Sequence, residues 1–240
     1  MWIHTKESQE NITPKIAIAY LKEGNQRFLK NLRINRNLLQ QINHTSTDQF
    51  PFATILSCID SRISAELIFD QGLGDIFSIR IAGNILNEDI LGSMEYACKT
   101  ANSKLIVVLG HTKCGATISA CNDFKMGHFT GLLNKLRPAI EEEKNTINER
   151  NGNNISFVNN VSVNNIKLTI QQIREKSEIL NDLEEKNEIM ILGGMYDIET
   201  GKVTFFENLT DNETTGNYKV TDMKVYCNHF NRFCGISNEQ

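Results

Sequence analysis

Two short segments carry residue types that hold metals and steer protons: Ser57-Cys58-Ile59-Asp60-Ser61-Arg62 and Gly110-His111-Thr112-Lys113-Cys114-Gly115. Cys58 and Cys114 offer thiolates, and His111 offers an imidazole nitrogen. Two thiolates and one imidazole suit Zn(2+), one ion per chain. Three protein ligands leave the fourth tetrahedral position to water or a carboxylate, the pattern of catalytic rather than structural zinc. A His-x-x-Cys pair alone reads more simply as a buried histidine and a packing cysteine. A third soft ligand at the end of a second apolar run moves the reading toward metal. Asp60 and Arg62 strengthen it. Arg62 is expected to hold Asp60 ionised through charge-assisted hydrogen bonds. An ionised Asp60 would accept the hydrogen bond of a zinc-bound water or hydroxide and aim its lone pair.

Each segment begins where an apolar, β-rich run ends, at 52–57 and at 105–109. Ligands of an open parallel sheet gather outside the carboxyl ends of its strands, so neighbouring strands would bring Cys58 to His111 and Cys114. Further strands are expected at 76–81, 188–195 and 202–206, with a turn at Gly83 and Asn84. Helical spacing marks 13–31, 64–69, 90–100, a helix from about 115, and 166–180. Thr13 caps the first of these and Pro14 suits its first turn, while Gly24 is expected to bend or interrupt it. The polar stretch 37–49 reads as loop or frayed helix, and the Asn- and Glu-rich 141–165 as a helix end and exposed loop. Continuous apolar runs separated by helices indicate parallel strands covered on both faces. The expectation is one α/β domain with a mainly parallel central sheet flanked by helices, an N-terminal helical arm at 13–31 and a C-terminal extension at 207–240.

Composition narrows the partners. The 240 residues are 40% hydrophobic and 22% charged, with a net charge of −4, so no positive excess exists to neutralise phosphates and nucleic acid is excluded as a default partner. No apolar run reaches the roughly 20 residues that cross a bilayer. The first ten residues lack a secretory pattern, which points to the cytoplasm, or to the periplasm if a signal has been removed. Cys98 and Cys121 fall at helical spacing with Met94 and Ile118 and read as core packing. Cys227, His229 and Cys234 are too few for a second metal site.

At its two ligand segments the chain resembles the β-class carbonic anhydrases, whose C-x-D-x-R and H-x-x-C motifs match 58–62 and 111–114. The similarity extends to the early G-N-x-R-F pattern at 24–28, the strand and A-x-N turn at 77–84, the E-Y-A helix near 92–97 and the late strand at 193–196. It implies zinc held by Cys58, His111 and Cys114, with Asp60 and Arg62 as a dyad that orients hydroxide toward carbon dioxide, forming bicarbonate. Within the family that Asp can instead turn onto zinc as a fourth ligand. Gln49, Phe77, Tyr96 and Gly115 align with the substrate pocket of the plant-like members. Ile55 stands where regulated bacterial members carry Trp, so the resemblance implies the open, water-bearing site. Ile59 replaces the family's common Ser. A homodimer or homotetramer is implied, in which Gln49, Phe77 and Tyr96 serve the partner's zinc. No residue stands out as proton shuttle; His128 is near only along the chain. Two other readings stay open: a carbon disulfide or carbonyl sulfide hydrolase on the same scaffold, and a noncatalytic zinc or thiol sensor.

Overall fold

The two apolar runs that precede the ligand segments are adjacent, parallel and wholly buried. In the computed structural model, which describes residues 3–206, β1 (Ala53–Ser57), β2 (Ile76–Arg80), β3 (Leu105–His111), β4 (Met190–Tyr196) and β5 (Val203–Phe206) form one sheet in the order β2-β1-β3-β4-β5. The first four are mutually parallel and β5 runs antiparallel to β4. Side chains alternate across a strand, and β3 shows it directly. Leu105, Val107 and Leu109 enter one core cluster with Ala17, Leu21, Phe69 and Leu136, while Ile106 and Val108 enter another with Met94, Ile166 and Ile170. This is the expected α/β fold. The described residues all belong to one compact unit, and no described helix is long and apolar enough to cross a membrane. The 207–240 extension and the Cys227, His229 and Cys234 reading lie outside the described residues.

The helices are α1 (Lys6–Glu10), α2 (Pro14–Leu29), α3 (Leu38–Thr45), α4 (Ala65–Ile68), α5 (Glu88–Glu95), α6 (Gly115–Cys121), α7 (Gly127–Asn134), α8 (Arg137–Glu142), α9 (Ile155–Lys176) and α10 (Glu178–Glu185). Thr13 and Pro14 start α2 as expected, the Thr13 hydroxyl accepting from Ile16 N. The stretch 37–49 contains a capped helix, α3, with Asn37 accepting from Gln40 N. Gly24 does not interrupt α2. A Cβ there would stand 1.7 Å from the Phe69 carbonyl oxygen, so glycine lets the helix lie against the end of α4, and close approach outweighs its propensity cost.

The larger correction is α9. It begins at Ile155, inside the stretch read as exposed loop, because Phe157, Val158 and Val161 are fully buried at helical spacing and Asn154 caps the start by accepting from Phe157 N. The asparagines that lowered its apparent helicity are themselves used. Asn165 is buried and donates to the Gly83 carbonyl, and Ser162 donates to the Thr117 hydroxyl. Ser177 then ends α9 and caps α10, so 166–180 is two helices rather than one.

Candidate metal centre

Register brings the ligands together. Ser57 lies opposite Leu109, so Cys58 leaves β1 level with Gly110 and beside His111, which is the last residue of β3 rather than two residues beyond its end. The chain turns through Lys113, whose φ of 54° is left-handed. That turn is held from α9, where Asn159 Oδ1 accepts from Lys113 N at 3.0 Å. Cys114 then sits at the N-cap of α6. One ligand atom from each of Cys58, His111 and Cys114 lies within 4.8 Å of the other two, and all three residues are buried.

The set fits a zinc ion on its own chemistry. Sulfurs at about 2.3 Å and a nitrogen at about 2.0 Å from a tetrahedral ion stand roughly 3.5–3.8 Å apart, within the spacing found. His111 Nδ1 lies 3.0 Å from the Thr112 carbonyl oxygen. A proton on Nδ1 donates to that carbonyl and leaves a lone pair on Nε2. Nε2 is buried and makes no hydrogen bond of normal geometry, an orphaned acceptor of the kind a cation relieves. A backbone carbonyl on the far nitrogen is also what orients metal-binding histidines.

The two thiols titrate apart in opposite directions. Cys114 is pushed down, chiefly because Cys58 donates to it, with added donation from the Thr117 hydroxyl and from the Ala116 and Thr117 amides at the start of α6. Cys58 is pushed up, first as that donor and then by burial. Gly83 N also donates to Cys58 Sγ at 3.3 Å. The glycine is required there, at φ 69°, with an added Cβ 3.2 Å from Leu136 Cδ1.

Asp60 meets Arg62 in a two-pronged pair, Nε to Oδ1 at 2.9 Å and Nη2 to Oδ2 at 2.7 Å, with Arg62 N donating to Oδ1 as well. These bonds from Arg62 hold the carboxyl down at about 2, against the opposing cost of partial burial. Arg80, at the end of β2, donates to the Cys58 carbonyl at 3.1 Å and the Asp60 carbonyl at 2.7 Å. The loop is thus tied to the neighbouring strand. Sequence reasoning missed Arg80, Asn159 and Asn165; Arg80 had a signal, since it ends the strand beside the one that delivers Cys58.

The other expected pocket residues divide. Gly115 opens α6 beside Cys114 and is exposed. Ile55 is buried in the core and Ile59 is exposed. Phe77 lies opposite Thr54, three residues before the end of β1, which is about 10 Å along the strand. Tyr96 packs on Phe77 with ring centroids 6.4 Å apart and is itself exposed. Gln49 is exposed ahead of β1, at the opposite end of that strand from Cys58. Phe77, Tyr96 and Gln49 are therefore not gathered around the ligands of their own chain. His128 is exposed on α7.

The family model described as carbonic anhydrase matches residues 53–203. Carbonic anhydrase 2 of Mycobacterium tuberculosis is 32% identical over 207 residues, covering 83% of this chain and 96% of the relative. The chain belongs to the carbonic anhydrase family. The carbonic anhydrase of Mycolicibacterium smegmatis is likewise 32% identical over 208 residues, covering 84% and 97%. Among solved structures, a β-carbonic anhydrase of Aspergillus fumigatus superposes with a TM-score of 0.62 at 23% identity, covering 80% of this chain and 90% of that one. A structure from a study of two tetrameric β-carbonic anhydrases of Sordaria macrospora gives 0.63 at 21% identity, covering 80% and 97%. The fold is therefore that of the β class. The family match opens at the first residue of β1 and closes at the first of β5, so every carbonic anhydrase motif named above from β1 onward falls inside it.

Proposed function

We propose that this chain catalyses the reversible hydration of carbon dioxide to bicarbonate and a proton, with one zinc ion held by Cys58, His111 and Cys114. The observation that carries the reading is the buried triangle of two sulfurs and an unpartnered imidazole nitrogen beside a locked Asp60–Arg62 pair. Zinc, when bound, supplies the Lewis acidity that brings the pKa of a water to about 7.

The chain's own residues do the rest. Asp60, ionised throughout the neutral range, accepts a hydrogen bond from the attacking water and fixes the direction of its lone pair. Arg62 keeps both carboxylate oxygens occupied on one side, so Asp60 stays turned toward it. That pairing, together with Ile55 in place of the regulated members' Trp, supports the plant-like, open-site reading. The Gly115 N–H, exposed at the start of α6, is placed to steady a developing bicarbonate oxygen.

Phe77, Tyr96 and Gln49 complete the pocket of a second copy, in a homodimer or a tetramer built from such dimers. The exposed ring of Tyr96 and the apolar side chains of Leu38, Leu39 and Ile42 on α3, each more than half exposed, support a surface that a second copy covers.

Stopped-flow hydration of carbon dioxide on the zinc-loaded protein, with carbon disulfide and carbonyl sulfide as rival substrates, tests the reading. Turnover of carbon dioxide with Cys58→Ala losing both zinc and activity is the expected result. Full zinc content in Cys58→Ala refutes the ligand set, and zinc-loaded protein without hydration favours the sensor.

A further inference from the structure

Asn165 faces two ways in the fold. Its side-chain amide donates to the Gly83 carbonyl at 2.9 Å, and the same residue lines a cavity of about 220 Å³ between α8, α9 and the segment that follows the Gly83 turn. Asn165, Thr169, Gln172 and Lys176 are spaced four, three and four residues apart on α9, which places them on one helix face. Lys135, at the end of α7, adds a second ammonium group, and Leu86 belongs to an apolar wall. No aspartate or glutamate lines the cavity.

Apart from Asn165, its polar side chains are little used. Thr169 is 3% exposed, yet neither its hydroxyl nor the Gln172 amide bonds to any described residue, and Lys176 has no ion-pair partner among them. Lys135 reaches only the Leu86 carbonyl, at 3.5 Å. A concave site with two unpaired cations, a hydroxyl, an amide and an apolar wall matches an anion carried on a short hydrocarbon body.

We infer that this cavity binds a small organic dianion, two carboxylates joined by a short methylene chain, and that Asn165 links its occupancy to the Gly83 amide on Cys58. Lys135 and Lys176 neutralise the carboxylates, Thr169 and Gln172 donate to them, and the methylenes lie on the Leu86 wall. The inference does not rest on the hydration reading, because binding and the Gly83 response are read without turnover.

Titration calorimetry of glutarate into the full, zinc-loaded chain is the test, paired with the ¹H–¹⁵N resonance of Gly83. Saturable binding with one glutarate per chain is expected, at least tenfold weaker in Lys135→Met/Lys176→Met at unchanged zinc content, with the Gly83 amide shifting on saturation of the wild type. Thr169→Val, which keeps the charges and the shape, is expected to weaken binding severalfold and serves if the double variant does not fold. Absence of saturable binding, or equal affinity in the substituted chains, overturns the site, the latter by placing the anion elsewhere. Equal binding of 1,5-diaminopentane overturns the charge argument. Lysine-dependent binding with an unmoved Gly83 overturns the link.

Discussion

One residue joins Asn165 to Cys58: Asn165 Nδ2 donates to the Gly83 carbonyl, and the Gly83 N–H, in the peptide on the other side of its Cα, donates to Cys58 Sγ. A thiolate that accepts a backbone N–H is stabilised in the charged form a metal needs. Replacing Asn165 with Leu keeps the branched shape at a somewhat larger size and removes the donor, freeing the Gly83 carbonyl and loosening the turn that aims the Gly83 N–H. Groups of this kind around a metal typically matter by about 10–100-fold in affinity. We expect Asn165→Leu to weaken zinc binding by about tenfold or more in a chelator competition, with helix content unchanged. Unaltered zinc affinity would show that the Gly83 N–H is held by the turn alone.

Arg80 acts on the other side of the same loop. Its two bonds run to the carbonyls of Cys58 and Asp60, so it sets where the Asp60 backbone stands without meeting the carboxylate. A displacement of about 1 Å in a reacting group costs on the order of a hundredfold. Arg80→Met should therefore lower kcat by about tenfold or more while zinc content stays full. If kcat holds and only the unfolding midpoint falls, Arg80 is a strand-end clamp and nothing more.

Much of this site was legible in the sequence, for identifiable reasons. Cys58 and His111 follow short, β-rich runs with apolar residues at both odd and even positions, the pattern of a strand covered on both faces; their positions at strand ends then follow from chain order. The braces on α9 were not legible. Asn159, Ser162 and Asn165 lower helix propensity and read as surface, because a sequence does not say which polar side chain finds a buried partner. Phe157, Val158 and Val161 held the helical spacing that would have shown it. Phe77 and Tyr96 are a different case. The resemblance names them as pocket residues, yet they stand away from the ligands of their own chain, and the proposed role toward a second copy depends on an assembly that a single chain's pattern does not encode.

The Asp60–Arg62 pair separates metal holding from chemistry. Asp60→Asn keeps the size and two of the contacts but removes the charge that Arg62 grips and that would orient the water. With no ligand atom changed, zinc stoichiometry should stay at one per chain, while hydration falls by about a hundredfold or more, the range that positioned acid–base groups usually supply. Arg62→Gln is expected to act through Asp60: activity falls, and lost charge-assisted bonds let the carboxyl titrate higher than about 2. Retained turnover in Asp60→Asn would remove the carboxylate from the mechanism.

His4 supplies a pH dependence remote from the metal. It is 6% exposed, its ring edge-on to Phe52 at 5.3 Å between centroids, with Tyr20 at 6.1 Å. Burial pushes its pKa down from 6.5 to about 4. The unfolded chain therefore binds this proton more readily than the folded one, so stability rises with pH. The contribution is fully present above about 6.5 and is lost as pH falls through 6.5 toward 4, amounting to about 3 kcal/mol once the folded histidine is also charged. His4→Phe keeps an aromatic ring against Phe52 and cannot take the proton. Urea unfolding between pH 7 and 4 should then show the variant close to wild type at pH 7 and progressively more stable than it on acidification, with a pH slope smaller by about one proton. Parallel stability curves would mean that another group carries the acid sensitivity and that His4 is protonated equally in both states.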